Sequence, residues 1–413
     1  MHTTFAFVLL TTGIFGGAER RFSHLFEYLS AHYPDKYYFI ITWDLYYKIL
    51  KVFPDYPSRY LIPIGNKNIP KKGITTEIIQ SKTYSINHPG IIKQIYRYIK
   101  NYSIQKNYYR QISRIRKEKD INCFLGIYNG ILPLYFYLMK RKRNIGIIFC
   151  DMDSWFRDVL PKEKKYWYRK FSSFNYALEN SDYIDFLSPF ILDGVKERGM
   201  EIKERSISIS PCSFTDYSKC KMGDKSIFQV AFAGRLEKDK NPDLFLEAAI
   251  KLSEKYPEII FHIMGEGRLS SDIKKRVNES EFSNIIFHGF HPQPANILAD
   301  TSVFVSVQTT NNYPSQSVLE AMGCGNAIIA SDVGDTKMFI NKENGILINL
   351  DIEELVDAIE YLYLNRELRE QMGKNAYNYV RENHNVERMA DYYESLFNLT
   401  LQKLINPISH NAI

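Results

Sequence analysis

VFVSV (303–307) and NAIIAS (326–331) are short apolar runs with no polar/apolar alternation. A strand of that composition has both faces buried, the condition of a parallel sheet covered by helices. Comparable runs fall at 5–10, 37–42, 122–126, 145–149, 184–187 and 206–209, and again at 227–233, 259–264, 284–287, 302–307, 326–330 and 346–348. Longer amphipathic stretches separate them. Residues 242–255, for example, set Leu244, Phe245, Ala248, Ala249 and Leu252 on one helical face. The βαβ pattern occurs twice, which predicts an α/β fold of two doubly wound, Rossmann-like domains. At 413 residues the chain is too long for one ordinary core. The unperiodic stretch PCSFTDYSKCKMGDK (211–225) reads as the linker, giving domains 1–212 and 222–384. From about 351 to 403 the pattern is helical throughout.

Charge divides the chain as well. Residues 1–220 hold 34 Lys/Arg against 20 Asp/Glu, and the remainder 19 against 27. The first half therefore favours an anionic partner or surface. Its basic residues concentrate at 93–119, interleaved with Tyr and Ile, and in KRKR (140–143). Three readings stay open: a solvated helix face, peripheral docking on anionic lipid, and nucleic-acid binding. The last lacks an accompanying finger, helix-turn-helix or aromatic platform, so no nucleic-acid partner is expected. Five Cys in no metal spacing suit a reducing, cytoplasmic compartment. FAFVLLTTGIFGGA (5–18) lacks a preceding Lys or Arg and is broken by Thr11-Thr12, so it reads as a buried strand and glycine loop rather than a signal peptide. No apolar run reaches the ~18–20 residues of a membrane span.

Chemistry concentrates where strands end. AFAGRLEKDKNP (231–242) runs from a strand through Gly234 and Arg235 to Lys240, then Asn241-Pro242. Asn suits an N-cap and Pro the first helical position. Two cations thus sit at a strand's carboxyl end beside a helix N-terminus, where doubly wound sheets bind anions. A solvated surface loop is the alternative. NNYPSQSVLEAMGCG (311–325) repeats the strand–loop–helix step. Pro314 and Ser315 start that helix, with Ser317 in the first turn and Glu320 about two turns on. Glu320 reads as more buried than a casual surface acid and able to accept both hydroxyls of a ribose; a helix-surface charge is the other reading. Gly323 and Gly325 close the helix and permit tight approach to the next strand. MGEGRL (264–269) places Gly265 and Gly267 after a strand, and NIIFHGF (284–290) does the same with Gly289 and Phe290. Phe290 reads equally as core or as the flank of a nucleobase. GIFGGAERRF (13–22) opens a helix at Gly16-Gly17, whose amides form an anion-friendly nest. IIFCDMDSW (147–155) ends a strand at Cys150-Asp151. Asp151 reads as a cleft-facing acid or as a helix cap, and Asp153 competes for either role.

In this order and spacing the segments resemble glycosyltransferase family 4, retaining GT-B enzymes that use nucleotide-sugar donors. The likeness spans nearly the whole chain and is strongest over 227–348. It rests on Gly234-Arg235 with Lys240, on SQSVLEAMGCG with Glu320 as the family's second glutamate, on Gly265-Gly267, on His288-Gly289-Phe290, and on Gly16-Gly17-Ala18-Glu19. The last helix, about 385–405, looks like the family's segment that crosses back onto the first domain. Asn312 stands where the family has its first glutamate, and Cys150 where it often has His.

The resemblance implies two domains facing a cleft. The first binds the acceptor and the second the nucleoside diphosphate sugar. It implies catalytic roles for Asp151, Arg235, Lys240 and Glu320. It implies donor contacts from Gly16, Gly17, Gly234, Gly265, Gly267, Gly289, Phe290, Asn312, Ser315, Gln316, Ser317, Val318 and Leu319. No cofactor or metal is expected, DMD (151–153) lying in the wrong domain for donor phosphates. The expected activity is sugar transfer to an acceptor hydroxyl in bacterial surface polysaccharide or glycolipid assembly, at the inner face of the membrane. A non-catalytic partner subunit and a sugar-nucleotide epimerase are the alternatives.

Overall fold

Every residue of Thr4–Leu9 (β1) and Tyr37–Thr42 (β2) is buried, as a strand covered on both faces requires. The computed structural model describes residues 3–11, 16–67, 91–140, 143–151, 173–197, 202–313 and 315–405. Gly13, Arg141, Lys142, Asp153 and Pro314 lie outside them. The chain forms two units, one of Met1–Pro211 with Met389–Ile413 and one of Cys212–Arg388.

In the first unit Gly17–His32 (α1) joins β1 to β2, and Trp43–Val52 (α2) leads to Leu61–Ile64 (β3). Ile91–Lys119 (α3) precedes Ile121–Ile127 (β4), and Ile131–Leu138 (α4) precedes Gly146–Asp151 (β5). Ser173–Asn180 (α5), Tyr183–Phe186 (β6), Pro189–Lys196 (α6) and Ile207–Ile209 (β7) follow. The seven strands pair in the order β3-β2-β1-β4-β5-β6-β7, all parallel. β3 was not expected from sequence. It is four residues long, contains Pro63 and sits at the sheet edge, where a missing N–H is tolerated.

The second unit is built alike. Gln229–Ala233 (β8), Pro242–Lys255 (α7), Ile260–Met264 (β9), Ser270–Glu279 (α8), Ile285–Gly289 (β10), Ala295–Leu298 (α9), Val303–Ser306 (β11), Gln316–Gly323 (α10), Ala327–Ser331 (β12) and Gly345–Ile348 (β13) alternate. Its sheet order is β10-β9-β8-β11-β12-β13, again parallel. Ile352–Leu364 (α11) and Arg366–Asn383 (α12) complete it. The expected α/β class with two doubly wound sheets is what the chain adopts.

Val386–Ile405 (α13) returns to the first sheet. Met389, Tyr393, Leu396, Phe397 and Thr400 are buried at helical spacing. Phe397 stacks on Phe5 at 4.5 Å, and Tyr393 meets Phe7 edge-on at 5.5 Å. Glu394 accepts from Lys36 and from the Tyr37 hydroxyl. Beneath the helix the carboxylate of Asp185, fully buried on β6, accepts from Tyr392 (2.5 Å), Tyr393 (3.2 Å), Ser210 (3.1 Å) and the Cys150 thiol (3.4 Å).

Burial pushes Asp185 up to about 6, and those hydrogen bonds offset only part of the shift. The opposite case lies in the second unit. His384, with Nδ1 3.0 Å from the Ser213 carbonyl, is pushed down to about 4, first by burial and then by Arg388. The signs follow from proton linkage. Between about 4 and 6 the folded first unit holds a proton the unfolded chain releases, so Asp185's contribution falls as pH rises through 6. His384's contribution is complete above about 6.5 and is lost as pH falls toward 4. Each effect is on the order of 2 kcal/mol. All three tryptophans, Trp43, Trp155 and Trp167, lie in Met1–Pro211, so their fluorescence reports the first unit alone. Moving from pH 7.5 to about 5 should raise the urea midpoint seen by fluorescence and lower the second transition seen by circular dichroism. The Asp185→Asn variant should lose the fluorescence shift. An unchanged shift in that variant rules out the assignment.

Candidate functional site

Strand order reverses between β8 and β11, so the loops leaving those strands flank a crevice at the sheet's carboxyl edge. The β8 loop carries Gly234, Arg235 and Lys240, and the β11 loop runs through Asn312 to α10. The two are tied together: Lys240 Nζ donates to the Gln308 side chain, and Thr309 N donates to the Asp239 carbonyl at 2.9 Å. Arg235 is 61% exposed and pairs with Asp239 at 3.1 Å. Lys240 is half-buried. The two cations therefore share one loop but take separate partners.

Neighbouring loops lock onto this one through backbone. Gly234 N donates to Met264 O (3.0 Å), Leu236 N to Glu266 O (3.0 Å) and Gly265 N to Gly289 O (2.7 Å). Arg268 bonds Glu237 through Nε (2.6 Å) and its amide (3.1 Å). The approach is so close that a Cβ on Gly265, at φ +140°, would lie 1.8 Å from Gly234 O. One on Gly267 would lie 2.4 Å from Leu236 O. Gly289 turns at φ +65°. Gly234 differs: a Cβ there meets nothing within 4 Å. The protein needs glycine at 265 and 267 for its own packing, whereas space above 234 is open.

Across the crevice α10 begins at Gln316 with Ser315 as N-cap, and the Ser315 hydroxyl caps no first-turn amide. The Ser315 and Ser317 hydroxyls contact each other at 3.1 Å. The amides of Gln316, Ser317 and Val318 are first-turn groups without intrahelical partners. Val318 and Leu319 are buried, so backbone is all they present. The Gln316 side chain turns away to Phe214 O at 2.9 Å.

Several expectations need correction. Glu320 stands just over one turn into α10 and is half-buried, since the helix starts at Gln316. Asn241 precedes α7 but adopts a left-handed conformation (φ 53°) and its side chain makes no cap bond. Gly323 and Gly325 do approach closely, but toward 217–222 and not the next strand: a Cβ would lie 2.7 Å from Tyr217 and 2.6 Å from Met222 Sδ respectively. Asn312 is 2% exposed and bonds Ser306 at 3.1 Å, so it is turned inward. Phe290 is 61% exposed, which excludes the core reading.

In the first unit the matching crevice lies between β1 and β4. Gly16-Gly17 do open α1 there, but Gly16 N already donates to the Glu19 carboxylate at 3.0 Å. The nest therefore has one amide fewer than expected. Asp151 ends β5 in register with Phe186. Cys150 is fully buried in the Asp185 cluster, and burial raises its thiol well above the ordinary range.

One feature had no separate signal in the sequence. His262 Nδ1 lies 3.0 Å from His288 Nε2, and His262 Nε2 lies 2.7 Å from Gln229 Oε1, across β8, β9 and β10. Burial and then His288 push His262 down to about 4, so this polar girder behind Gly289-Phe290 is uncharged at neutral pH. Partners on three strands cannot be paired by spacing alone.

Residues 223–379 match the family described as glycosyl transferases group 1. The chain is 27% identical to an uncharacterized glycosyltransferase of Methanocaldococcus jannaschii, over 84% of this chain and 91% of that one. It is 29% identical to the poly(ribitol-phosphate) alpha-N-acetylglucosaminyltransferase of Staphylococcus aureus, over 41% of this chain and only 35% of that longer protein. The crystal structure of Anabaena HepE in complex with UDP has the same fold, with a TM-score of 0.69 at 15% identity over 96% of this chain and 100% of that chain. Domain match, full-length relative and fold agree: residues 223–379 carry a glycosyl transferases group 1 domain, the chain is a glycosyltransferase, and its fold is that of HepE.

Proposed function

We propose that the chain transfers a sugar from a uridine diphosphate sugar to a hydroxyl of a bacterial surface polymer, with retention and without a metal. The reading is supported by one juxtaposition: Lys240, Arg235, the open face of Gly234 and the uncapped first turn of α10 border one crevice at the switch point. Fixed donors at that edge stabilise charge as it builds on the leaving diphosphate. Glu320 holds the ribose, and Phe290 flanks the base. The bond from the anomeric carbon to phosphate breaks while the acceptor oxygen bonds that carbon on the same face. The acceptor's proton passes to the departing phosphate oxygen, so no strong protein base is required, and Cys150 need not act. Uridine is favoured because a Streptococcus pneumoniae protein 23% identical over 46% of this chain is named for UDP-N-acetylglucosamine, and HepE was crystallised with UDP.

The test is a thermal-shift panel with UDP, GDP and ADP and their sugars, since ligand-linked stabilisation tracks affinity. UDP-sugars should raise Tm most. Gly234→Ala should leave stability unchanged to within about 0.5 kcal/mol yet weaken UDP binding at least about tenfold. Wild-type UDP affinity in that variant would refute the site. The inward-turned Asn312 and Cys150 favour one second reading, a non-catalytic partner subunit. Tight UDP binding with neither donor hydrolysis nor transfer would select it.

A further inference from the structure

The last turns of α3 and the end of α4 border an open groove of about 480 Å³ in the first unit. Arg110, Arg114, Arg116, Lys117 and Lys140 line it, with no carboxylate in the lining. Among the described residues none of these five makes an ion pair; Arg116 is half-buried and the other four are exposed. Arg116 Nε is buried and has no hydrogen-bond partner among the described residues. The Ser113 and Tyr137 hydroxyls, 2.8 Å apart, share the wall. The Lys140 ammonium lies over the rings of Tyr109 (5.6 Å) and Tyr137 (5.3 Å).

Position separates this groove from the crevice described above. The end of α3 feeds the start of β4, and the end of α4 feeds the start of β5. The groove therefore sits toward the amino ends of the strands, opposite the carboxyl edge that carries Gly16, Gly17 and Asp151. It is no part of a donor site.

We propose that the groove is an exosite for a polyanionic, phosphate-bearing polymer that holds the acceptor chain while its hydroxyls are glycosylated elsewhere on the enzyme. Residues 110 to 117 span about 10 Å of helix, enough for two or three successive phosphates and too long for one. Arg110, Arg114 and Lys117 follow one another along α3 with Lys140 in the same open groove, a linear array of charge that suits a strand lying along it. Nucleic acid is disfavoured because Lys140 covers the tyrosine rings that bases would stack on. The role as acceptor anchor rests on the transferase reading, but the binding test does not require turnover.

The probe is fluorescently labelled long-chain inorganic polyphosphate, titrated into the full chain at about 50–200 mM salt. The triple variant Arg110→Gln, Arg114→Gln, Lys117→Gln should bind at least about tenfold more weakly and show a log–log salt slope shallower by about two. A charge-matched triple in the second unit, Lys274→Gln, Lys275→Gln, Lys374→Gln, should stay within about twofold. Equal losses in both triples, or none in the first, would overturn the proposal. So would loss of sedimentation with equal-part phosphatidylcholine/phosphatidylglycerol vesicles in the groove triple, which would assign the groove to lipid. Undiminished vesicle binding supports the polymer. If the triple unfolds, the double Lys117→Gln, Lys140→Gln carries the same expectations with a slope change of about one.

Discussion

Lys240→Ala lowers kcat/KM for sugar transfer by about two to three orders of magnitude, the range seen when a fixed charge-stabilising donor is removed. The expectation follows from how the ammonium is held. Lys240 is half-buried at the switch point, and the buried Gln308 orients it before any ligand arrives. Gln308 is fixed in turn, because its carbonyl accepts from Ser331 at 2.7 Å. A preorganised cation loses little on binding, so its removal is felt mostly in the transition state. Arg235 is a contrast. It is 61% exposed and only tethered to Asp239, so Arg235→Ala should cost about tenfold, mostly in donor affinity. Steady-state kinetics with varied donor, alongside Tm values to exclude unfolding, decide the matter. Activity of Lys240→Ala within threefold of the parent would remove the lysine from the mechanism.

Gly265→Ala destabilises the second unit by roughly 3–5 kcal/mol, at the top of the range for single substitutions. Two penalties coincide there. The backbone angle, φ +140°, is one that only glycine adopts readily. The new Cβ would also sit 1.8 Å from Gly234 O, and both groups are backbone, so no side chain can swing aside. Relief would require breaking the Gly265 N to Gly289 O and Gly234 N to Met264 O bonds, which hold three strand ends together. Urea unfolding followed by circular dichroism measures the loss. A cost below about 1 kcal/mol would mean the three loops are not locked as described.

Most strands were legible because burial on both faces leaves a composition mark that needs no partner to be read. β3 escaped because Pro63 and its length argue against a strand everywhere except at an edge. The Gly234–Lys240 and Ser315–Glu320 segments were legible as loop-to-helix junctions, since glycine, proline and charge punctuate such sites locally. What spacing could not reveal was contact over distance. Asp185 meets Tyr392 and Tyr393 more than 200 residues away, and only the fold brings His262, His288 and Gln229 together. Asn312 shows the same limit at short range: its place in the motif was right, but its side chain serves Ser306 in the interior.

Helix α13 completes the unit that holds β1 and β2, although the whole second unit lies between them in sequence. During synthesis Phe5, Phe7 and Tyr37 leave the ribosome long before the rings and carboxylate that cover them, on Tyr393, Phe397 and Glu394. The N-terminal sheet must therefore wait, with an apolar face bare, through the translation and folding of an entire second unit. At elongation rates of about 5–20 residues per second that wait lasts on the order of 20–80 seconds, long enough to make the nascent chain a client for holding chaperones.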